Sequence, residues 1–153
     1  MLKFENIIRL TNKKLKFTEN QFLIFNDKKV IFDSLKNGIE LGDLLDTNDQ
    51  SEVLHVHTHS FNSSDPTLLD IFGWLSQSVF NNFVIVQIDK TKEKIVEASF
   101  WSKTDECYNR TLYETEEMWY NLVKPEGETL ANLFGFAKTK FFSEEEIDEI
   151  CKN

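Results

Sequence analysis

The stretch His55-Val-His-Thr-His-Ser-Phe-Asn-Ser-Ser-Asp-Pro-Thr-Leu-Leu-Asp70 decides how this sequence is expected to fold. Up to His59, histidines alternate with apolar residues and a threonine, which is the period of a β-strand with two different faces. His57 and His59 therefore project from one face, about 6.5 Å apart along the strand. Two imidazole rings at that spacing can lean onto a single metal ion without bending the chain.

A loop and a helix are expected after this strand. The segment from Ser60 to Asp65 is rich in Ser, Asn and Asp, which favour loops. Asp65 then resembles an N-cap and Pro66 a first helical residue, so a helix is predicted from Pro66 to about Ser78. Thr67 and Asp70 lie three apart and share a face in its first turns. The buried stripe of this helix is expected to consist of Leu68, Leu69, Ile71, Phe72 and Leu75.

His57, His59 and Asp70 form a set of three protein ligands, which predicts a site for one zinc ion with its fourth position open. That is the pattern of catalytic zinc rather than structural zinc. Hydrolysis at such a site also needs a general base and a donor for the developing oxyanion, and Thr67 is placed for the second role. His55 projects from the same face of the strand as the other two histidines. It is either a further ligand or a hydrogen-bonded structural residue, and we favour the second role because it lies deeper in the strand.

Each of these residues also has a simpler interpretation. A His-x-His pair taken alone is usually a surface residue pair or a hydrogen-bonded core pair. Thr67 taken alone would support the helix N-terminus through its hydroxyl, and Asp70 would be a solvated acid favoured by the helix dipole. The combination at this spacing favours the metal site.

The residues His57-Thr-His59, seven further residues, and Thr67-Leu-Leu-Asp70 resemble the His-x-His-x(7)-Ser-x-x-Asp signature of the JAMM (JAB/MPN) metalloproteases. The predicted order downstream also agrees, with a strand at Phe83–Ile88, a turn, and a strand at Ile95–Trp101. Ser60 replaces the usual proline and Thr67 the usual serine. The resemblance implies zinc-dependent cleavage of an isopeptide or peptide bond beside the C-terminal tail of a ubiquitin-like protein.

In that family a catalytic glutamate lies upstream of the histidines, and three acids are candidates for it. Glu19 stands at the head of an apolar strand ending at Asn26, followed by a turn, a strand Val30–Phe32 and a short helix near Glu40 to Leu45. This order favours Glu19. Glu40 has family-like neighbours but lies too close to the histidines, and Asp33 has a shorter side chain.

Two other functions remain open. The chain could be an MPN-like scaffold that binds a partner protein without cleaving anything. The segment Leu54-His-Val-His-Thr-His-Ser60, with Ser64-Asp65, also resembles the first metal motif of PHP-type phosphoesterases. In that family, however, the motif opens a large barrel and further histidines follow it, whereas here none does.

Length and composition predict one domain over residues 1–153. The order of the predicted elements indicates the α/β class, and the resemblance implies a JAMM/MPN-like curved mixed sheet flanked by helices. With 17 basic and 26 acidic residues, the net charge of −9 disfavours nucleic acid as a partner. A protein substrate, and a partner protein or second copy, are expected instead. Cys107 and Cys151 fit no disulfide framework, and no leader or long apolar run is visible, so we expect a cytoplasmic protein rather than a membrane protein.

The ends of the chain carry two further signals. A helix is predicted from Phe4 to Lys14, with a strand at Leu15–Thr18 after it, and a loop is expected at Thr104–Asn109. Helical spacing recurs at Leu112–Leu122, before a turn at Pro125. Ser143-Glu-Glu-Glu146 reads as a capping box, with Phe142 and Ile147 as a hydrophobic staple, so an acidic helix is predicted at about 143–152.

Overall fold

A six-stranded mixed β-sheet organises the chain in the computed structural model, which describes residues 3–15, 22–26, 29–33, 53–59, 63–76, 81–108 and 127–152. For the strand residues 22–26, 29–33 and 53–57, the structure describes the backbone and not the side chains. The strands are β1 (Phe22–Asn26), β2 (Lys29–Asp33), β3 (Val53–His59), β4 (Asn82–Asp89), β5 (Lys94–Lys103) and β6 (Phe136–Phe142). Their order across the sheet is β2-β1-β3-β4-β5-β6.

The pairing of β3 with β4 is parallel, whereas the other neighbouring strands of this sheet are antiparallel. Parallel neighbours need a crossover connection, which here contains α2 (Leu68–Ser76). The carboxyl end of β3 therefore faces the start of α2 across a short loop. In α/β sheets this edge, outside the carboxyl ends of parallel strands, is where ligands commonly bind.

Helices cover both faces of the sheet, and each face has its own apolar core. Besides α2, they are α1 (Phe4–Lys14), α3 (Asp105–Tyr108), α4 (Gly127–Leu133) and α5 (Glu144–Ile150). On one face, Ile7 and Ile8 of α1 and Ile147 of α5 pack with Val84 and Phe100 of the sheet. On the other, α2, α3 and α4 cover a cluster that consists of Ile71, Trp74, Phe83, Ile85, Trp101, Cys107, Leu130, Ala131, Phe134 and Phe136. The α/β class predicted from the sequence is confirmed.

Several predicted elements are confirmed with small changes at their ends. The helix Phe4–Lys14 is present, the histidine strand is β3, and the two strands expected after the motif helix are β4 and β5 in that order. The C-terminal capping box is formed by Ser143 and Glu146 at the start of α5. Phe142 and Ile147, the expected staple, are both buried in one cluster.

The start of the motif helix was predicted incorrectly. α2 begins at Leu68 rather than at Pro66, because Thr67 and not Asp65 supplies the cap: the backbone N–H of Asp70 donates to Thr67 Oγ1 over 3.2 Å. Leu69 was placed in the buried stripe but is 83% exposed, and Trp74, which is 2% exposed, packs into the core instead. The buried side of α2 therefore runs through Ile71 and Trp74, which lie three residues apart on one face of the helix.

The C-terminal third of the chain contains elements that the sequence did not predict. Residues Asp105–Tyr108 form the short helix α3, where a loop was expected. Helix α4 and strand β6 were not predicted. The expected strand Leu15–Thr18 beyond Leu15, the helix near Glu40 to Leu45, the helix at Leu112–Leu122 and the turn at Pro125 fall outside the described residues.

Among the helices just described, none combines the length and the apolar character needed to cross a bilayer.

Candidate metal centre

Two of the predicted ligands meet where β3 ends and α2 begins. His59 is the last residue of β3, and Asp70 lies in the first turn of α2. The Nε2 atom of His59 is 2.8 Å from Oδ2 of Asp70, and the two side chains are only 2% and 8% exposed. Residues 11 positions apart in the sequence are thus brought into contact by the strand, the loop and the first helical turn.

The other ring nitrogen of His59 fixes the orientation of the ring. Nδ1 lies 3.2 Å from the backbone carbonyl of Ser63. A carbonyl oxygen can only accept a hydrogen bond, so this contact is a hydrogen bond in the tautomer that carries the proton on Nδ1. In a neutral ring, Nε2 then carries the lone pair. A histidine that donates from one nitrogen to a backbone carbonyl and presents the other to an ion is the common arrangement at metal sites.

Asp70 is held by the residue that caps its own helix. The backbone N–H of Thr67 donates to Oδ2 of Asp70 over 2.9 Å, and the backbone N–H of Asp70 donates to Thr67 Oγ1 over 3.2 Å. This reciprocal pair is a capping box with aspartate in the place of glutamate. The capping role for Thr67 is therefore real. It uses a lone pair of the hydroxyl and does not engage the O–H bond as a donor.

The contact between His59 and Asp70 depends on which ring nitrogen carries the proton. With the proton on Nε2, the ring donates an ordinary hydrogen bond to Oδ2 of Asp70. If His59 is neutral with its proton on Nδ1, a lone pair and a carboxylate oxygen meet at 2.8 Å in a buried place. In this tautomer a divalent cation between the two atoms relieves the repulsion. For a tetrahedral zinc with ligands at about 2.0–2.1 Å, the two atoms would lie about 3.3 Å apart. Small side-chain rotations cover this difference, so the pair fits zinc.

The third predicted ligand is placed by its backbone alone. His57 is two residues before His59 in β3, paired with Phe22 of β1 on one side and Ile85 of β4 on the other. The side chains of His57 and of His55 are outside the described set. Within that set no group of three His, Cys, Asp or Glu residues is arranged to hold a metal ion.

Of the three candidates for the general base, the structure describes only the backbone of Asp33. Glu19 and Glu40 lie outside the described residues. Asp33 ends β2, where its backbone pairs with Leu23 of β1, which in turn pairs with Val56 of β3. Asp33 is therefore two strands away from β3, and its register position across the sheet is that of Val56, the residue before His57. The choice among the three acids stays a prediction.

Sequence reasoning missed the residues that anchor the loop between the predicted ligands His59 and Asp70. The buried hydroxyl of Ser99 on β5 donates to the carbonyl of Ser64 over 2.6 Å, and the indole N–H of Trp101 donates to Ser99 Oγ over 2.7 Å. On the outer side of the loop, Lys138 Nζ lies 3.7 Å from Oδ1 of Asp65. The available signal was a serine between Ala98 and Phe100, where an apolar residue is expected.

Comparison of the chain with protein-family models, with curated proteins and with solved structures finds no match. A function for the chain is therefore argued from the motif and from the geometry of His59, Asp70 and their neighbours.

Proposed function

We propose that the chain is a zinc-dependent metallohydrolase of the JAMM type, which cleaves an isopeptide or peptide bond next to the C-terminal tail of a ubiquitin-like protein. The observation that carries the proposal is the buried contact of 2.8 Å between His59 Nε2 and Asp70 Oδ2. Two observations support it. These residues occupy ligand positions of the motif, and they lie at the carboxyl end of β3, where α/β proteins commonly bind ligands.

Each residue of the motif has a role in this proposal. His57, His59 and Asp70 hold one zinc ion, which supplies Lewis acidity for activating water and polarising a carbonyl. Glu19 moves the proton from the attacking water to the leaving amine, with Glu40 and Asp33 as the alternatives. Thr67 caps α2 and directs its O–H toward the developing oxyanion. With zinc bound, the carbonyl of Ser63 would accept from Nδ1 of His59 and leave Nε2 for the ion.

The described sheet favours this family over the PHP-type phosphoesterases. Those enzymes build their metal site in a barrel, whereas here β2 and β6 are the two edges of the described sheet. The histidine strand also follows two other strands along the chain. We therefore retain the metalloprotease and the non-catalytic scaffold as the two candidates to be separated.

A pair of matched variants tests whether Asp70 is a ligand. Asp70→Asn and Asp65→Asn each exchange one carboxylate for an amide within the same stretch of chain, but Asp65 is 44% exposed and faces Lys138 instead of His59. We expect purified wild-type protein and Asp65→Asn to bind one zinc ion each, measured by elemental analysis and chelator competition. Asp70→Asn should bind it more than about 100-fold more weakly, because loss of even an outer partner costs 10- to 100-fold.

Hydrolysis distinguishes the two candidates. A panel of fusions that carry a reporter amide behind the C-terminal tail of ubiquitin-like proteins should be cleaved by the wild-type protein and not after chelation. Stoichiometric zinc without any chelator-sensitive cleavage would favour the scaffold. A wild-type protein that takes up no zinc would leave His59 and Asp70 as an ordinary buried hydrogen-bonded pair, and the proposal would be wrong.

A further inference from the structure

Two sets of hydrogen-bond contacts meet at the adjacent residues Ser63 and Ser64 and connect the core of the sheet, through the backbone of the loop, to the candidate ligand His59. The first set starts at the indole N–H of Trp101, which donates to Ser99 Oγ over 2.7 Å, and continues from the Ser99 hydroxyl to the carbonyl of Ser64 over 2.6 Å. The carbonyl oxygen of the preceding residue, Ser63, lies 3.2 Å from Nδ1 of His59 and accepts from it when that nitrogen carries the ring proton. Thus the hydroxyl on β5 and the ring on β3 hold two successive carbonyl groups of the same loop.

Ser99 is well suited to hold this loop still. It is fully buried, and it pairs with Ile85 of β4, which pairs with His57 of β3. Its oxygen therefore has a fixed position relative to the histidine strand. Because the Trp101 N–H occupies a lone pair of Ser99 Oγ, the hydroxyl proton is left for the Ser64 carbonyl. Trp101 is itself 1% exposed and packed into the core, so it moves little.

The loop has few other bonds to the sheet among the described residues. Within it, the N–H of Asp65 donates to Ser63 Oγ over 2.8 Å, which closes a local turn but does not attach that turn to a strand. The Lys138–Asp65 pair is long, at 3.7 Å, and partly exposed, so it contributes little. The hydrogen bond from the Ser99 hydroxyl thus provides a short, buried attachment of the loop to β5, next to the Ser63 carbonyl that contacts His59.

We propose that Ser99, directed by Trp101, is a positioning residue for the metal centre. It holds the loop so that the Ser63 carbonyl accepts from Nδ1 and Nε2 points at the ion. The inference rests on the proposed function, because it assumes that His59 is a zinc ligand. It assigns to β5 a role in metal affinity that neither the motif nor its spacing contains.

The test compares Ser99→Ala with Ser99→Thr and with Ser102→Ala, in the full chain. Ser102 lies three positions further along β5 and outside these two sets of contacts. Zinc affinity is measured by competition with a chelating indicator, and the ligand geometry by the d–d absorption of the Co²⁺-substituted protein. We expect Ser99→Ala to bind zinc about 10-fold more weakly, as is usual for loss of a partner behind a ligand, and to change the Co²⁺ spectrum. Ser99→Thr, which retains the hydroxyl, should restore both, and Ser102→Ala should change neither.

A purely structural serine would lower the stability of the metal-free protein and leave affinity and spectrum unchanged, and that result would overturn the inference. If Ser99→Ala does not fold, Trp101→Phe decides instead, because it removes the indole N–H and keeps an aromatic ring. It should weaken zinc binding less than 10-fold but more than Ser102→Ala; wild-type affinity would overturn the inference. If the wild-type protein binds no zinc, it is the proposed function that fails.

Discussion

At the scale of single residues, Thr67 and Asp70 each serve two purposes. Their backbone N–H groups and side chains form the box that starts α2, and the same Asp70 oxygen that accepts from Thr67 faces His59 at 2.8 Å. The capping interpretation and the ligand interpretation are therefore compatible. Capping fixes the Asp70 carboxylate before any ion binds, so that less conformational entropy is lost on binding.

Replacing Thr67 by valine should separate its two roles. Thr67→Val keeps the shape but removes the oxygen that accepts from the Asp70 N–H, and loss of such a cap costs about 1 kcal/mol of unfolding free energy. Thr67→Ser should retain most of that stability. Urea unfolding of the metal-free proteins measures this effect.

If the Thr67 hydroxyl also stabilises an oxyanion, Thr67→Val should lower kcat by about 100- to 1,000-fold on a cleavable ubiquitin-like fusion. Thr67→Ser, the residue usual in the family, should keep the wild-type rate. A valine variant with lowered stability and full kcat would reduce Thr67 to a helix cap.

At the scale of the elements, α5 is attached to the sheet by an ion pair network as well as by its apolar side. Lys94, the first residue of β5, places Nζ 2.8 Å from Oδ1 of Asp148 and 3.0 Å from Oε1 of Glu144. The hydrogen bond to Asp148, and then that to Glu144, raise the pKa of Lys94 above its ordinary value. Folding therefore favours the charged lysine.

The sign of the pH dependence follows from that direction. A raised pKa contributes stability that is complete below the pKa of the unfolded chain, about 10.4, and is lost as the pH rises through the folded-state pKa. Lys94→Met should lower the stability at pH 7 by less than about 1 kcal/mol, since the partners are half exposed. Thermal melts at rising pH and at rising salt should show this deficit shrinking. Lys92→Met, at an exposed lysine of the same hairpin, is the matched control, and its stability should differ from that of the wild type by a similar amount at low and at high salt.

The elements differ in how far the sequence alone could predict them. β3, β4 and α5 follow from alternation, an apolar run and a capping box, which are local signals. Strand β6 is harder, because Lys138, Thr139 and Lys140 in its middle are only partly buried or exposed at the sheet edge. Lysines on an edge strand prevent pairing with other chains and dilute the apolar pattern. The start of α2 depended on which of two adjacent caps, Asp65 or Thr67, is used.

The candidate site shows the same division between local and distant information. The approach of His59 to Asp70 could be predicted because a strand, a short loop and one helical turn determine it. The contribution of Ser99 could not, since it lies 35 residues from Ser64 and depends on the order of strands in the sheet. A serine among apolar residues signals a buried hydrogen bond, but the sequence does not name its partner.

At the scale of the whole molecule, the candidate site belongs to one of the two apolar layers. Ile71 and Trp74, which follow Asp70 on α2, pack with Phe83 and Trp101 of the sheet. The layer on the opposite face is formed with α1 and α5. A ligand that contacts both β3 and α2 should therefore stabilise the folded chain, because the two elements are not held close together in the unfolded chain.

This coupling predicts a zinc-dependent melting temperature. An ion that binds only the folded chain, at 100 times its dissociation constant, adds about 2.7 kcal/mol. For a chain of this size that raises Tm by about 5 to 10 °C, measured by differential scanning calorimetry of metal-free protein with and without zinc. Excess chelator should reverse the shift, Asp65→Asn should retain it, and Asp70→Asn should lose it. An equal shift in Asp70→Asn would mean that zinc binds elsewhere, for example at Cys107 or Cys151, and that the contact between His59 and Asp70 is structural.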